Sequence, residues 1–495
     1  MALRLFNTLS GKIEEFAPLE DQLVRMYACG PTVYDYGHIG NFRTFVAVDV
    51  LRRFLRQSGY KLRHVMNITD VDDRIIQNSA REQLTVRQYT EKYEKAFRED
   101  SDIVSIEHPE FLVRATDYIQ EMAEFIAALA KKGFAYRTED GSYYFRIAKF
   151  PDYGKLSKKD FSGIQDGARV DSDRYEKEGA RDFALWKAPK PGEAFWETAI
   201  GPGRPGWHIE CSVMSTKLLG ESFDIHTGGE DLIFPHHENE IAQSESLTGK
   251  PFAHFWMHVR FLLVEGEKMS KSVGNFYTLR DLVLLGHKPS SIRFLLASAH
   301  YRTQLNFTFE ALKQAANSVE RLRNFQLRLR MTKFPAGSNP KIAQLASEAA
   351  QTMRAGLEDD LNTPQAVAPI FEMVRQANVA ADAGELRAGD VPSLLETLEK
   401  FDQVFSVLQD DDAPKMRRIV EWAKAEGKLD KASKEVVELA GTNGLPDEQI
   451  EQLVMEHEQA RNARDFAKSD ALRAQLSDAG VVVENTKEGV RWRRK

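Results

Sequence analysis

The sequence predicts an α/β protein: a parallel-sheet domain with an insertion, followed by an α-helical bundle and a small C-terminal domain. Three observations predict it. Near the N-terminus a strand-like run, a helical-period run and a second strand-like run succeed one another, which is the βαβ pattern of a parallel sheet. After about residue 300 the apolar residues recur at helical spacing instead. The length of 495 residues is too great for one ordinary domain and suggests roughly three.

Taken in order, Leu23-Val-Arg-Met-Tyr-Ala reads as a strand ending at Cys29. Val46 through Leu55 places Val50, Leu51, Phe54 and Leu55 at helical spacing, stopped by Gly59, and Lys61 through Thr69 is the next strand. Two aromatic runs between Phe134 and Ile147 flank Asp140-Gly141, a hairpin signal that belongs to an insertion in the sheet domain. Gly201-Pro-Gly-Arg-Pro-Gly206 reads as a loop leading back into that domain. Leu312, Ala315, Ala316, Val319 and Leu322 form one apolar stripe, and Leu394, Leu395, Leu398, Phe401, Phe405 and Leu408 another; both read as bundle core. Thr363-Pro364 marks a helix start, with proline in the first turn. Asp410-Asp-Asp-Ala-Pro414 reads as a linker into the last domain.

Composition bounds the function. Hydrophobic residues make up 42% and charged residues 28%, the balance of a soluble globular protein. The N-terminus lacks the apolar core of a signal peptide, and no run approaches the ~18 apolar residues of a membrane helix. The expected location is cytoplasmic, with no membrane partner, and there a disulfide between the two cysteines is disfavoured. The net charge of −7 excludes a globally basic nucleic-acid binder. The segment from Arg461 to Lys495 nevertheless carries nine basic against five acidic residues. Such a tail suits local phosphate contacts or, equally, a solvated terminal face.

Cys29 and Cys211 are the whole sulfhydryl content, and each sits among unusual residues. The first opens Cys29-Gly-Pro-Thr-Val-Tyr-Asp-Tyr-Gly-His38-Ile-Gly-Asn41; the second closes Gly206-Trp-His-Ile-Glu-Cys211, and Phe234-Pro-His-His-Glu-Asn-Glu240 follows. Two thiols alone cannot hold zinc tetrahedrally, but two thiols with a His and a Glu can. On a helix His236 and Glu240 share a face, whereas His237 has Ile241 four residues on; spacing selects His236 over His237. A His-x-x-x-Glu pair alone is more often a surface pair, and four protein ligands describe a structural zinc with no open position. Against a purely structural role, the cysteines lie about 180 residues apart, at two expected strand ends of the sheet, where such folds bind ligands.

His38-Ile-Gly-Asn41 follows a strand and opens a helix, a place suited to phosphate. Lys268-Met-Ser-Lys-Ser272 follows the strand Phe261-Leu-Leu-Val264; two lysines and two hydroxyls in a loop suit a triphosphate. No Gly-x-x-x-x-Gly-Lys-Ser/Thr segment exists, so any nucleotide site is not a P-loop.

Together these segments resemble the two signatures of the class I aminoacyl-tRNA synthetases, His-Ile-Gly-His and Lys-Met-Ser-Lys-Ser. The fourth position of the first departs from the pattern, being Asn41. Cys29-Gly-Pro-Thr-Val-Tyr-Asp, Asn67-Ile-Thr-Asp-Val-Asp-Asp73, Gly206-Trp-His-Ile-Glu-Cys211, Gly228-Gly-Glu-Asp-Leu and Phe234-Pro-His-His-Glu-Asn-Glu narrow the resemblance to the cysteinyl-tRNA synthetases, in the family's order and nearly end to end.

The resemblance implies a Rossmann-type catalytic domain in two halves, 1–120 and 206–300, the second with the Lys-Met-Ser-Lys-Ser loop. It further implies an inserted connective domain at 121–205, a helical bundle at 301–412 and an anticodon-binding domain at 413–495. It implies one Zn2+ per chain on Cys29, Cys211, His236 and Glu240, with the thiolate of L-cysteine binding the metal; the zinc then accepts a fifth ligand or loosens one, for which Glu240 is the natural candidate. It implies Mg2+ with ATP; ATP contacts at His38, Gly40, Asn41, Gly229, Asp231 and Lys271; and catalysis by His38, Lys268 and Lys271. Thr69 and Trp207 line the substrate pocket, with an ordinary core role the rival for Trp207 and helix capping the rival for Asp231; His208 has no assigned role. Arg461, Phe466 and Asp470, expected on one helix, offer groups to unpaired bases of tRNA(Cys). The chain is expected to be a monomer. Two rival functions remain: a paralogous ligase that passes activated cysteine to a small amine, and a binding protein with structural zinc and idle motifs.

Overall fold

The computed structural model describes residues 2–159, 182–441, 447–486 and 489–494. Its centre is a five-stranded parallel sheet, ordered Ala253–Val259, Phe223–Gly229, Leu23–Ala28, Lys61–Ile68, Phe111–Arg114. The first strand in sequence thus lies in the middle, and the order reverses between it and Phe223–Gly229. The crevice beyond the carboxyl ends of those two strands is the switch point at which open α/β sheets bind ligands.

The helix Ile39–Gln57 starts earlier than the apolar run from Val46, because His38 caps it. It packs on the sheet and on the helices Pro289–Ser298 and Val391–Phe405, so it is buried on most sides. That burial includes Asp49, whose carboxylate pairs with Arg293 (2.5 Å) and Arg53 (2.8 Å). Burial pushes the Asp49 carboxyl up, but Arg293 and then Arg53 outweigh it and hold it below its ordinary value. Arg293 also donates to the carbonyls of Phe405 and Val104, joining the sheet domain to the bundle. Arg293→Ala strands a buried carboxylate and is expected to cost about 3–5 kcal/mol in urea unfolding at neutral pH. A group with a lowered folded-state pKa stabilises above its unfolded pKa and loses that effect as pH falls through the folded one. The gap between wild type and variant therefore narrows in acid; a gap independent of pH contradicts the assignment.

The insertion is an antiparallel sheet of Ala135–Arg137, Tyr143–Phe145, Phe183–Lys187 and Arg204–Pro205, with the expected hairpin turning at Gly141. The stretch Gly201–Gly206 is not wholly a loop: Lys187 pairs with Arg204 and Trp186 with Pro205. The buried Arg204 fixes it there through Asp73 (2.5 Å) and Glu193 (3.5 Å), a long-range pairing invisible to local composition.

The bundle comprises Phe309–Met331, Pro340–Glu358, Thr363–Asp382 and Val391–Phe405, with most residues of both stripes buried. The linker reading of 410–414 is corrected. Asp412 opens the helix Asp412–Ala425, and its buried carboxylate accepts hydrogen bonds from the Ser290 N–H (2.8 Å), the Ser290 hydroxyl (2.6 Å) and Arg323 (2.6 Å). Acidic residues that read as linker are here held by partners distant in sequence. The last unit has helices Asp447–Asn462 and Phe466–Asp478 and the hairpin Val481–Thr486 with Gly489–Arg494. Ile450, Val454, Leu476, Val481, Val483 and Val490 form a small core of its own. Among the described residues no helix is long and apolar enough to cross a membrane.

Candidate metal centre and active site

Cys29 stands one residue past the central strand, its N–H still donating to the Thr227 carbonyl (3.1 Å). Gly30 then passes so close to the neighbouring strand that a Cβ there would lie 1.8 Å from the Asn67 carbonyl oxygen. Cys211 is not at a strand end, contrary to expectation. It lies on the helix Trp207–Leu219, which begins right after Gly206 and carries the thiol into the crevice. His236 likewise precedes the regular helix Glu238–Thr248, in a distorted turn, Ile233–His237, where Phe234 is non-helical (φ −143°, ψ 131°).

These elements bring four buried donors together. Cys29 Sγ is 3.8 Å from Cys211 Sγ and 3.9 Å from Glu240 Oε1, and His236 Nε2 is 3.0 Å from Glu240 Oε1. All four ligand atoms lie within 4.8 Å of one another. A tetrahedron with Zn–S bonds of about 2.3 Å has an S···S edge of about 3.8 Å, and one with Zn–N and Zn–O bonds near 2.1 Å an N···O edge of about 3.4 Å. The donor set and spacing fit the ion.

A second quartet, Cys29, His226, His237 and Glu240, overlaps the first. Spacing had set His237 aside, but it is the i, i+3 neighbour of Glu240 (3.9 Å), and its Nε2 lies 3.3 Å from Cys29 Sγ. The first quartet is the better zinc site, because it alone holds both thiols. His226 Nε2 meets the other carboxylate oxygen, Glu240 Oε2, at 2.9 Å. Outer contacts of this kind orient metal ligands. His208, without a role in the sequence, has Nδ1 2.9 Å from His236 Nδ1, while His237 Nδ1 meets His258 Nε2 at 2.8 Å and His258 Nδ1 meets Thr8 Oγ1 at 2.8 Å. His226 and His258 have no role in the sequence reading; their only local signal is a histidine within each of the strands Phe223–Gly229 and Ala253–Val259. Burial and then Cys211 push the Cys29 thiol up. Burial opposes the charge on Glu240, but His226 and His236 bring its carboxyl down to about 2.

Trp207 is no core residue: its side chain is 42% exposed and stacks on His236 at 4.2 Å. Thr69 is buried; its hydroxyl donates to Glu210 (3.1 Å) and accepts from the Asn67 amide (3.0 Å). Gly229 ends the fourth strand in sequence, and Asp231 lies in the short turn after it, Glu230–Leu232, with no helix cap formed there by a side chain.

The signature segments meet at the same end of the sheet. His38 pairs with Thr278 across the chain, and the Ile39 N–H donates to the Tyr277 carbonyl (3.1 Å). This draws the loop Lys268–Ser272 onto the start of the helix Ile39–Gln57. Lys271 Nζ pairs with Asp35 (2.6 Å), a partner the sequence did not suggest, and lies 5.0 Å over the Phe276 ring. The Asp35 hydrogen bond leads the causes that raise the Lys271 pKa. Lys268 is exposed on the short strand Glu267–Lys268, and its carbonyl accepts from Asn275 (3.2 Å).

Arg461, Phe466 and Asp470 are exposed, but they do not share one helix. Arg461 ends Asp447–Asn462, while Phe466 and Asp470 lie one turn apart on Phe466–Asp478. Arg464 breaks the chain between them at φ +61°, and Asp465 caps the second helix.

Comparison with known proteins agrees with this geometry. Residues 15–317 match the family described as tRNA synthetases class I (C) catalytic domain, 352–409 the DALR domain, and 442–493 the cysteinyl-tRNA ligase anticodon binding domain. The cysteine–tRNA ligase of Koribacter versatilis is 68% identical over 495 residues, and that of Solibacter usitatus 53% over 495, each covering 100% of both chains. Among solved structures, methionyl-tRNA synthetase of Mycobacterium tuberculosis has a TM-score of 0.55 at 16% identity, covering 90% of this chain and 96% of its own, a likeness of fold alone. The chain belongs to the cysteine–tRNA ligase family of class I aminoacyl-tRNA synthetases.

Proposed function

We propose that the chain selects L-cysteine by holding its thiolate on a zinc ion bound by Cys29, Cys211, His236 and Glu240, activates it with Mg·ATP, and passes it to the 3′ end of tRNA(Cys). The observation that carries the reading is the convergence of both cysteines, a histidine and a glutamate at the switch point of the sheet, beside the two signature segments. When bound, zinc supplies a borderline-soft acceptor for thiolate. Trp207 and Thr69 wall the cysteine site. Gly229 and Asp231 face the adenosine ribose. His38 takes the phosphates at the start of the helix Ile39–Gln57, beside Gly40 and Asn41.

The carboxylate oxygen of cysteine attacks the α-phosphorus of ATP, the bond to the β-phosphate oxygen breaks, and pyrophosphate leaves. A terminal ribose hydroxyl of the tRNA then attacks the acyl carbon, loses its proton, and displaces AMP. Both steps have a competent nucleophile and leaving group, so the protein contributes positioning and charge. Lys271, assisted by Lys268, meets the charge that grows on the departing phosphates. The site is complete within one chain, so a monomer suffices for it, and the composition favours the cytoplasm.

Cys211→Ser removes a thiolate ligand and is expected to lower both zinc content and cysteine-dependent ATP–pyrophosphate exchange. Full metal and full exchange in this variant refute the site. Deleting residues from 442 onward leaves every metal ligand, both signatures and the helix Asp412–Ala425 in place. Exchange is expected to survive and tRNA charging to collapse, with tRNA affinity of the intact protein falling as salt rises. A shortened chain that charges tRNA normally assigns the last unit another role, and one that charges a glucosaminyl amine in preference to tRNA favours the paralogous ligase.

A further inference from the structure

Where the class I pattern His-Ile-Gly-His has its second histidine, this chain has Asn41. The side chain of Asn41 is engaged within the chain itself. His38 caps the helix Ile39–Gln57 with extended backbone (φ −91°, ψ 163°), and the two residues form a reciprocal pair. The Asn41 N–H is shared between His38 Nδ1 at 3.1 Å and the His38 carbonyl at 2.9 Å, and the His38 N–H donates to Asn41 Oδ1 at 3.1 Å.

The first bond fixes the state of the ring. An imidazole nitrogen that accepts a hydrogen bond carries no proton, so a neutral ring holds its one proton on Nε2. The ring is neutral here: burial, and then the charge of Lys271, bring the His38 pKa down to about 4 against opposing contributions from its own backbone and Asp35. Nε2 has no hydrogen-bond partner among the described residues.

Two further contacts limit where the ring sits. Phe276, five residues beyond Lys271, meets it edge-on at 5.3 Å. A Cβ on Gly40 would lie 2.9 Å from Nδ1 and 3.0 Å from Cε1, so a side chain at position 40 would push the imidazole off the helix start. The ring is therefore bounded by Phe276, Gly40 and the N–H of Asn41, and Nε2 is the donor left for a ligand.

We propose that Asn41 is a positioning residue for adenylate formation: by closing the capping pair it holds the His38 backbone in the one geometry that keeps Nδ1 as acceptor and presents Nε2–H to a phosphate oxygen of ATP. This rests on reading His38 as an ATP contact. Losing the Asn41 side chain frees the His38 N–H and loosens the cap, which lets the imidazole leave Nδ1's donor and occupy other rotamers. The phosphate oxygen gains charge as pyrophosphate leaves, so the Nε2–H contact strengthens chiefly in the transition state and its loss falls on kcat. A contact made by Asn41 directly to bound ATP acts on KM instead.

The test compares Asn41→Ala with Asn41→Gln, since glutamine at this position of a helix keeps a neutral acceptor that reaches back to the cap. ATP–pyrophosphate exchange gives kcat and the KM for ATP, zinc content and thermal melting check folding, and nitrogen-15 spectra of labelled histidine report the His38 ring, assigned by its absence in His38→Gln. Asn41→Ala is expected to lower kcat roughly 5- to 10-fold, the scale of one lost cap interaction, with the KM for ATP nearly unchanged. The His38 signals are expected to move from one tautomer to a mixture, and Asn41→Gln to restore both readouts. An unchanged kcat, with or without a raised KM, overturns the proposal, as does a lowered kcat with the His38 tautomer unmoved. Normal exchange in His38→Gln shows instead that His38 is not an ATP contact, whatever Asn41 does.

Discussion

Cysteine is expected to be activated over serine by a factor well beyond ~10², the most that pocket shape alone achieves between such near-isosteres. The two substrates differ by one atom, sulfur for oxygen. In the proposed site a wall of Trp207 and Thr69 would sense that difference mainly through size. The buried quartet of Cys29, Cys211, His236 and Glu240, with zinc bound, would sense it through chemistry, because zinc favours a thiolate over a hydroxyl. Removing the metal with a chelator is expected to bring cysteine activation down toward the level of serine, and adding zinc back to restore it. Exchange kinetics with both amino acids, before and after chelation, provide the measurement. Similar kcat/KM values for the two substrates in the metal-loaded protein rule out recognition through the thiolate.

Lys271→Ala is expected to slow adenylate formation by roughly 10²–10³, the usual effect of losing one preorganised transition-state contact. In the structure its ammonium is held by Asp35 beside the start of the helix Ile39–Gln57, 64% exposed and able to move. An exposed pair of this kind is worth about 0–1 kcal/mol, so the triphosphate can take the lysine from Asp35 at little cost. Cysteine binding at equilibrium is expected to stay nearly constant, since the lysine acts as charge develops on the phosphates. Pre-steady-state adenylate formation in the variant decides the matter: a rate equal to that of the wild type removes Lys271 from the reaction.

The sequence by itself determined the fold class and the family, and it offered the metal quartet as a candidate whose four donors the fold brings together. Parallel strands announce themselves by apolar runs bracketing a helical period, as at Leu23–Ala28 and Lys61–Ile68, and the hairpin around Gly141 by its turn residues. Two lone cysteines beside a His-x-x-x-Glu pair make a metal site the most economical use of those donors. These signals are local, and local patterns survive in one dimension.

The tertiary structure decided everything that depends on partners remote in sequence. Asp412 read as linker because acidic runs usually face water; Ser290 and Arg323 make it a buried helix start instead. Cys211 read as a strand end, yet the helix from Trp207 delivers its thiol. His237 was set aside on a four-residue period, although helical neighbours also meet at three. The outer ring of His208, His226 and His258, the Asp35–Lys271 pair and the bonding of Asn41 to His38 are contacts between side chains. They exist only once the strands are ordered and the crevice is closed, since a hydrogen bond is fixed by distance and direction in space and not by position along the chain.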